Sequence, residues 1–139
     1  MAETTTFVLD SFALLAYLQD ESVASQVEKL LEKASKDRCR LLFSLINLGE
    51  LLYITERRGG VAKAQDALAL IRQLPIELMP ADEQLIFAAA HIKANHSLSY
   101  ADSFAVAVAM QEDATILTGD PEFQSVEKLV KIEWLQISG

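Results

Sequence analysis

The sequence predicts an α/β domain in which a central, mainly parallel sheet lies between layers of helices. Short apolar segments of strand-forming residues alternate along the 139 residues with longer segments of helical periodicity, an order typical of parallel sheets. Half of the residues are apolar (51%) and only 23% are charged, so the chain can bury a substantial core. Its length is typical of one domain, and we expect residues 1–139 to form a single unit.

Signals in the first part of the chain place strands and helices in alternation. Residues 22–35 repeat apolar side chains at helical spacing. Gly59 and Gly60 end the helix that Ser44 opens, and Pro75 follows the end of the next helix. The predicted elements are a strand at 5–9, helices at 12–18 and 22–35, a strand at 41–43, and helices at 44–59 and 61–73.

The second part of the chain continues the alternation. Ser99 is a typical N-cap residue for a helix that extends to about Glu112. The predicted elements are a strand at 76–79, helices at 82–95 and 99–112, and strands at 115–118 and 130–137. Ligands of open α/β sheets bind outside the carboxyl ends of the strands, near the point where the strand order reverses, so chemistry is expected at that edge.

The formal net charge of −8 bears on the kind of partner. Proteins that hold nucleic acid by electrostatic attraction alone are usually basic, so simple coating of DNA is disfavoured. An acidic chain is compatible with a nuclease whose carboxylates bind divalent cations, because the cations reverse the local field. It is also compatible with a basic protein partner, and composition alone leaves both open.

The sequence favours a cytoplasmic protein. Residues 1–9 lack the basic start and the long apolar stretch of a secretory leader, and the apolar segment 104–110 is far shorter than the ~20 residues that a membrane span needs. The single cysteine, Cys39, cannot form an internal disulfide. Arg38 and Arg40 beside it could lower its pKa, but no motif surrounds it, and we interpret it as a non-catalytic thiol.

Two aspartates follow predicted strands at the same edge of the sheet. Asp10 comes directly after the strand at 5–9, and Asp120 follows the strand at 115–118. Each also fits a local structural role: Asp10 could cap the next helix, and Asp120 before Pro121 is a helix-start or turn signal. Taken singly, Asp10 fits capping and chemistry equally well, whereas Asp120 fits the structural role better.

Two more carboxylates lie on predicted helices. Glu50 stands in mid-helix between apolar side chains on both sides, so we expect it to be partly buried. Burying a carboxylate is costly unless it is paired or binds a metal, and a structural salt bridge stays open as the alternative. Asp102 stands three residues after Ser99, which resembles a capping box, although that motif prefers Glu or Gln at this position.

Together, the four carboxylates could converge on one pocket, where their mutual repulsion would require a cation or protons. Oxygen-rich sites suit hard cations such as Mg²⁺ or Mn²⁺, which activate water and neutralise charge on a phosphodiester. Other chemistries have less support. The sequence has no Gly-rich phosphate loop and no Gly-x-Ser-x-Gly elbow, and its two histidines, His91 and His96, lack partners at zinc spacing.

Four segments, in order, resemble the conserved blocks of the PIN-domain family. They are Val8-Leu9-Asp10-Ser11 and the stretches at 44–50, 99–107 and 116–123. Their order, their spacing and the chain length resemble VapC-type toxins, the ribonuclease halves of bacterial and archaeal toxin–antitoxin pairs, from Phe7 to about Trp134. Gly119 departs from the resemblance, because these proteins often carry Arg or another polar residue there.

The resemblance implies a compact three-layer domain that cuts RNA with Mg²⁺ or Mn²⁺, forms a homodimer and is inhibited by a small cognate antitoxin. It implies Asp10 and Asp102 as the main metal ligands, with Glu50 and Asp120 completing the site. Beside them, we expect the hydroxyls of Ser11 and Thr118 to support the carboxylates or to contact a phosphate. Arg57 is a candidate contact to the RNA backbone, with a solvated surface arginine as the open alternative.

Two other functions remain open from the sequence. The chain could be a non-catalytic interaction module that only binds a partner, or an RNA-processing PIN nuclease that is not a toxin. Glu50 in a buried-looking position argues against the non-catalytic module, because a site without chemistry has no need of it. Metal-dependent cleavage of RNA would separate an enzyme from a binding module.

Overall fold

Strands and helices alternate along the chain. The computed structural model describes residues 4–19 and 22–136. In this part of the chain the strands are β1 (Thr5–Leu9), β2 (Cys39–Ser44), β3 (Glu77–Met79), β4 (Thr115–Thr118) and β5 (Ile132–Trp134). The helices are α1 (Ser11–Leu18), α2 (Ala24–Ser35), α3 (Leu45–Gly59), α4 (Val61–Gln73), α5 (Glu83–Asn95) and α6 (Tyr100–Glu112). A 3₁₀ helix covers Pro121–Val126.

The strands form one parallel sheet in the order β3-β2-β1-β4-β5. From β1 the chain moves outward through β2 to β3, and it then returns to place β4 and β5 on the other side of β1. The strand order therefore reverses between β1 and β4, where Leu9 pairs in register with Leu117. The crevice outside these two carboxyl ends is the place where α/β sheets bind ligands.

The sheet lies between two apolar cores, one on each face. Along β1, Phe7 and Leu9 belong to the core shared with α1 and α2, whereas Val8 belongs to the core shared with α5 and α6. Leu42 of β2 joins Val8 in that second core. This alternation follows from the two-residue period of a strand that is covered on both faces. The predicted three-layer α/β fold is confirmed.

Three helix N-termini meet at the carboxyl edge of the sheet. Helices α1 and α3 start there because they follow β1 and β2, and α6 starts there because it runs back towards the first residue of β4. Their N-cap residues are Asp10, Ser44 and Ser99, whose side chains accept backbone N–H groups of the first turn. The N-terminal turns place partial positive charge at this edge, which favours carboxylates nearby.

Some predicted boundaries differ from the structure. Strand β2 begins at Cys39, and β3 begins at Glu77. The last strand is much shorter than the predicted 130–137, because its only pairing partner in the described chain, β4, has four residues. Val130 instead closes the turn after the 3₁₀ helix, its N–H donating to the Val126 carbonyl at 3.3 Å, and residue 137 lies outside the described residues.

The environment of Cys39 differs from the expectation that neighbouring arginines could activate it. The thiol is buried, its sulfur lies 3.5 Å from the Leu30 carbonyl oxygen, and burial raises its pKa. Arg40 is turned to the surface, where its guanidinium donates to both carboxylate oxygens of Glu77 at 2.8 and 2.9 Å. The interpretation as a structural thiol therefore fits.

No helix within residues 4–19 and 22–136 is both long enough and apolar enough to cross a bilayer.

Candidate metal centre

Asp10 is held in one position by both of its carboxylate oxygens. It caps α1, and its Oδ1 accepts the Ala13 N–H at 2.8 Å. Its Oδ2 accepts the Thr118 hydroxyl at 2.5 Å. The side chain is only 1% exposed, so it lies behind the surface of the crevice between β1 and β4.

Thr118 links the ends of these two strands. Its buried hydroxyl donates to Asp10 and also accepts the Asp120 N–H at 2.9 Å. Thr118, the last residue of β4, thus orients the side chain of Asp10 after β1 and fixes the backbone of Asp120 after β4. Thr118 therefore lies beside both Asp10 and Asp120.

Three carboxylates lie together near this pair, and two of them, Asp102 and Asp120, act on Asp10 through their charge. One oxygen each of Asp102, Asp120 and Glu122 falls within 4.8 Å of the others. Asp102 is 7% exposed, and burial decreases outward from it through Asp120 to the exposed Glu122. Asp120 also caps the 3₁₀ helix, its Oδ1 accepting the Glu122 N–H at 3.0 Å.

Glu50 is half-buried on α3, as predicted, and its charge acts on Asp102. Ser11 is buried, and its hydroxyl donates to the Asn47 carbonyl at 3.0 Å, so it joins α1 to α3 rather than facing a substrate. Arg57 lies on the exposed surface of α3, with its guanidinium carbon 5.0 Å from the centre of the Tyr53 ring.

The two most buried carboxylates have strongly raised pKa values. Burial raises the pKa of Asp10 to about 7, against the lowering effect of hydrogen bonds from Thr118 and Ala13, and the charges of Asp102 and Asp120 raise it further. Burial also raises the pKa of Asp102 to about 7, with the charge of Glu50 next in importance. In the metal-free domain both groups therefore take up protons near neutral pH.

The residues present fit a hard divalent cation. The donor set is made of carboxylate oxygens, which Mg²⁺, Mn²⁺ and Ca²⁺ prefer. Two oxygens that bind one ion at about 2.1 Å each are at most about 4.2 Å apart, so a spread of up to 4.8 Å requires only a small inward movement of the side chains. A cation would also stabilise the ionised forms of Asp10 and Asp102, which burial disfavours.

Comparison with known proteins gives the family. The family model described as PIN domain matches residues 7–129, which is most of the chain. This chain belongs to the PIN-domain family. Comparison with curated protein sequences finds no significant match.

Solved structures resemble this PIN domain over nearly its whole length. The VapBC2 complex of Rickettsia felis, bound to promoter DNA, matches with TM-score 0.74 and 16% identity over 95% of this chain and 100% of the other. DNA-bound VapBC from Salmonella typhimurium matches with TM-score 0.74 and 18% identity over 96% and 100%. Mycobacterium tuberculosis VapC20, described as a sarcin–ricin loop cleaving toxin, matches with TM-score 0.63 and 18% identity over 81% and 87%. At these identities the likeness shows the fold.

Gly119, the position that departs from the VapC-like pattern, is explained by Phe12. A Cβ atom at residue 119 would lie 2.5 Å from the Phe12 ring, closer than side chains pack. The ring of the second α1 residue thus occupies the space that a side chain at 119 would need. In this PIN domain an aromatic ring therefore packs against Gly119, the residue before Asp120.

Two residues beside the predicted carboxylates, Glu122 and Asn47, were not selected from the sequence. Glu122 had a detectable signal, since it stands two residues after Asp120 in a turn. Asn47 also had one, because it precedes Glu50 by three residues and so lies on the same helix face. Neither signal distinguishes a site residue from ordinary surface or cap residues without the fold.

The raised pKa values predict how the metal-free protein responds to pH. Between 3.8, the ordinary pKa of an aspartate, and about 7, the folded state binds more protons at Asp10 and Asp102 than the unfolded state does. These groups should therefore make the free energy of unfolding fall as the pH rises through that window. Urea unfolding in the presence of a chelator at about pH 5 and about pH 8 measures the change.

The variant Asp10→Asn isolates this effect. It keeps an oxygen for the Ala13 N–H but cannot titrate, so the variant should lose less stability than the wild type between the two pH values. Near pH 8 it should also melt at a higher temperature without metal, because one buried charge is gone. If the free energy of unfolding changes equally with pH in the two proteins, Asp10 does not titrate as a buried carboxylate, which would contradict this account.

Proposed function

We propose that this PIN domain is a metal-dependent endoribonuclease, and that it is the toxin of a VapBC-type toxin–antitoxin pair. The observation that carries the proposal is the cluster at the strand-order reversal, where Asp102, Asp120 and Glu122 lie within 4.8 Å in front of the buried Asp10. Such a cluster is unfavourable without a cation, and it stands where this class of fold binds ligands.

The carboxylates would hold Mg²⁺ or Mn²⁺. Asp102, Asp120 and Glu122 offer the closest set of oxygens, while Asp10 and Glu50 add negative charge from behind and from α3. A bound divalent cation supplies activation of water and neutralises the charge that develops on a phosphodiester. The proposed site therefore consists of the predicted residues Asp10, Glu50, Asp102 and Asp120, together with Glu122 at its exposed edge.

The surrounding residues orient this set. Thr118 and the Ala13 N–H fix the two oxygens of Asp10, so that its remaining lone pairs have a defined direction. Ser11 holds the first turn of α1 against α3. Arg57, exposed on α3, is proposed as a contact to the RNA backbone, where its stacking on Tyr53 would restrict its guanidinium.

The proposed RNA substrate and antitoxin partner are supported by the similarity of this chain to solved structures. Two of the similar structures are VapBC complexes, and a third is described as a toxin that cleaves the sarcin–ricin loop. A chain of net charge −8 binds free RNA weakly but suits a basic inhibitor, and we propose that the antitoxin places a basic side chain near Asp10, Glu50 and Asp102. A groove of about 500 Å³ between the C-terminal turns of α1 and α3 and helix α4 could receive another part of that partner.

Homodimerisation and a cytoplasmic location complete the proposal. Support for a dimer comes from large apolar side chains on the surface, above all Phe87 of α5, which is 64% exposed. Support for the cytoplasm comes from the single, unpaired cysteine.

Cleavage of an RNA panel in Mg²⁺ or Mn²⁺ tests the activity, with Asp102→Asn as the decisive variant. Its cleavage rate should fall by at least ~100-fold, because changes even to groups that only support metal ligands cost roughly 10–100-fold. The matched control is Glu32→Gln, which removes an exposed carboxylate of α2 and should leave the rate unchanged. Circular dichroism should show both variants folded.

The possible results separate the candidate functions. No cleavage by the wild type, with the partner still bound, would favour the non-catalytic interaction module. Cleavage without inhibition by an antitoxin would favour an RNA-processing nuclease. Cleavage that persists in chelator, or in Asp102→Asn at the wild-type rate, would contradict the metal-dependent site.

The substitution Glu122→Gln tests whether this exposed carboxylate contributes to metal binding. Because Glu122 is exposed at the rim, its loss should raise the Mn²⁺ concentration needed for half-maximal cleavage, while the rate at saturating Mn²⁺ stays near that of the wild type. The control Glu127→Gln changes an exposed carboxylate just after the same 3₁₀ helix and should shift neither quantity. Identical Mn²⁺ dependence in all three proteins would remove Glu122 from the site.

A further inference from the structure

Asn47 is a fully buried polar residue in the first turn of α3 that the proposed chemistry does not use. Its side chain and backbone are 0% exposed, and its N–H donates to the Ser44 hydroxyl of the cap at 3.3 Å. Burying an amide is unfavourable unless its polar atoms are hydrogen-bonded. The partners of those atoms therefore indicate what the residue does.

The hydrogen bonds of Asn47 join the three helices that carry the innermost carboxylates. Its backbone carbonyl oxygen accepts the hydroxyl of Ser11, the neighbour of Asp10, at 3.0 Å. Its side-chain Nδ2 donates to the backbone carbonyl of Ala101, the neighbour of Asp102, at 3.1 Å. The residue itself precedes Glu50 by three positions on α3. The backbone of Asn47 thus contacts α1, and its side chain connects α3 to α6.

The remaining polar atom of the Asn47 side chain, Oδ1, meets no hydrogen-bond donor in the part of the chain that the structure describes. The atom is also buried. The amide cannot simply be reversed, because the Ala101 carbonyl only accepts and must face the NH₂ group. A buried acceptor left unpaired lowers stability, so stability alone favours an apolar side chain of similar shape at this position.

We infer that Asn47 is a positioning residue whose side chain fixes the spacing of Glu50 on α3 and Asp102 on α6 for the cation. Like charges at the crevice push these two helices apart, and the hydrogen bond from Nδ2 to the Ala101 carbonyl, between their first turns, opposes that movement. Ser11 holds α1 through the backbone carbonyl of residue 47, and this bond does not depend on the side chain there. The inference rests on the proposed function, since it assigns a residue of the same metal site.

Titration with Mn²⁺ alone, by calorimetry on the full chain, tests the assignment in Asn47→Leu and Asn47→Ala. Asn47→Leu keeps the branching of the side chain and removes the unpaired acceptor, so the metal-free protein should melt at the wild-type temperature or above. Its Mn²⁺ dissociation constant should nevertheless rise ~10-fold or more, as for other groups that orient metal ligands. Asn47→Ala should melt lower and show the same loss of affinity.

The control is Thr55→Val, which removes a hydroxyl that donates to the Leu51 carbonyl in the same helix. It should bind Mn²⁺ like the wild type. If both Asn47 variants bind Mn²⁺ as tightly as the wild type, or if both fail to fold, Asn47 serves packing or folding and the inference is overturned. Absence of Mn²⁺ binding in the wild type would instead overturn the proposed function, and this assignment with it.

Discussion

Asp10 and Asp102 are carboxylates buried at the point where the strand order reverses, and the rest of the site is arranged around the cost of that burial. Without a cation the domain tolerates the two groups by partial protonation and by hydrogen bonds from Thr118, Ala13 and Ser99. These compensations leave both carboxylates in place, so that near neutral pH each can release its proton when a metal ion binds. The free-energy cost of the buried charge is therefore coupled directly to metal binding.

The same residues build the fold and the site. Asp10 and Asp120 each use one oxygen to cap the helix that follows. The Asp102 N–H donates to the hydroxyl of Ser99, the N-cap residue of α6. Capping and the proposed metal binding, which are alternatives at the level of single residues, are therefore compatible at these positions. This has a consequence for mutagenesis: replacement by Asn preserves an acceptor for the cap, whereas replacement by Ala removes cap and charge together.

Much of the fold was predictable because local signals agree with the tertiary structure. Strand β1, helix α4 and strand β4 have the predicted bounds, since apolar periodicity and Gly or Pro punctuation mark their ends. The short β5 was not predictable, because its length depends on pairing with β4. The buried state of Cys39 likewise depends on how α2 packs on the sheet, which neighbouring arginines do not reveal.

For the site, four carboxylates could be selected from the sequence because two follow strands and two have a placement that capping explains incompletely. Glu122 and Asn47 could not, since an exposed Glu in a turn and an Asn near a helix start are ordinary in any sequence. The reason for Gly119 was also inaccessible, because it depends on the Phe12 ring from across the crevice. Features that depend on the distance between residues far apart in the sequence could be found only in the structure.

The most direct test of the central claim is a crystal structure of the protein soaked in Mn²⁺, with the ion located by its anomalous scattering. The account predicts a peak in front of Asp10, coordinated by oxygens of Asp102 and Asp120 at about 2.2 Å, with Glu122 turned towards it. A peak confined to other surface carboxylates, or an acidic crevice with no bound ion at millimolar Mn²⁺, would contradict it.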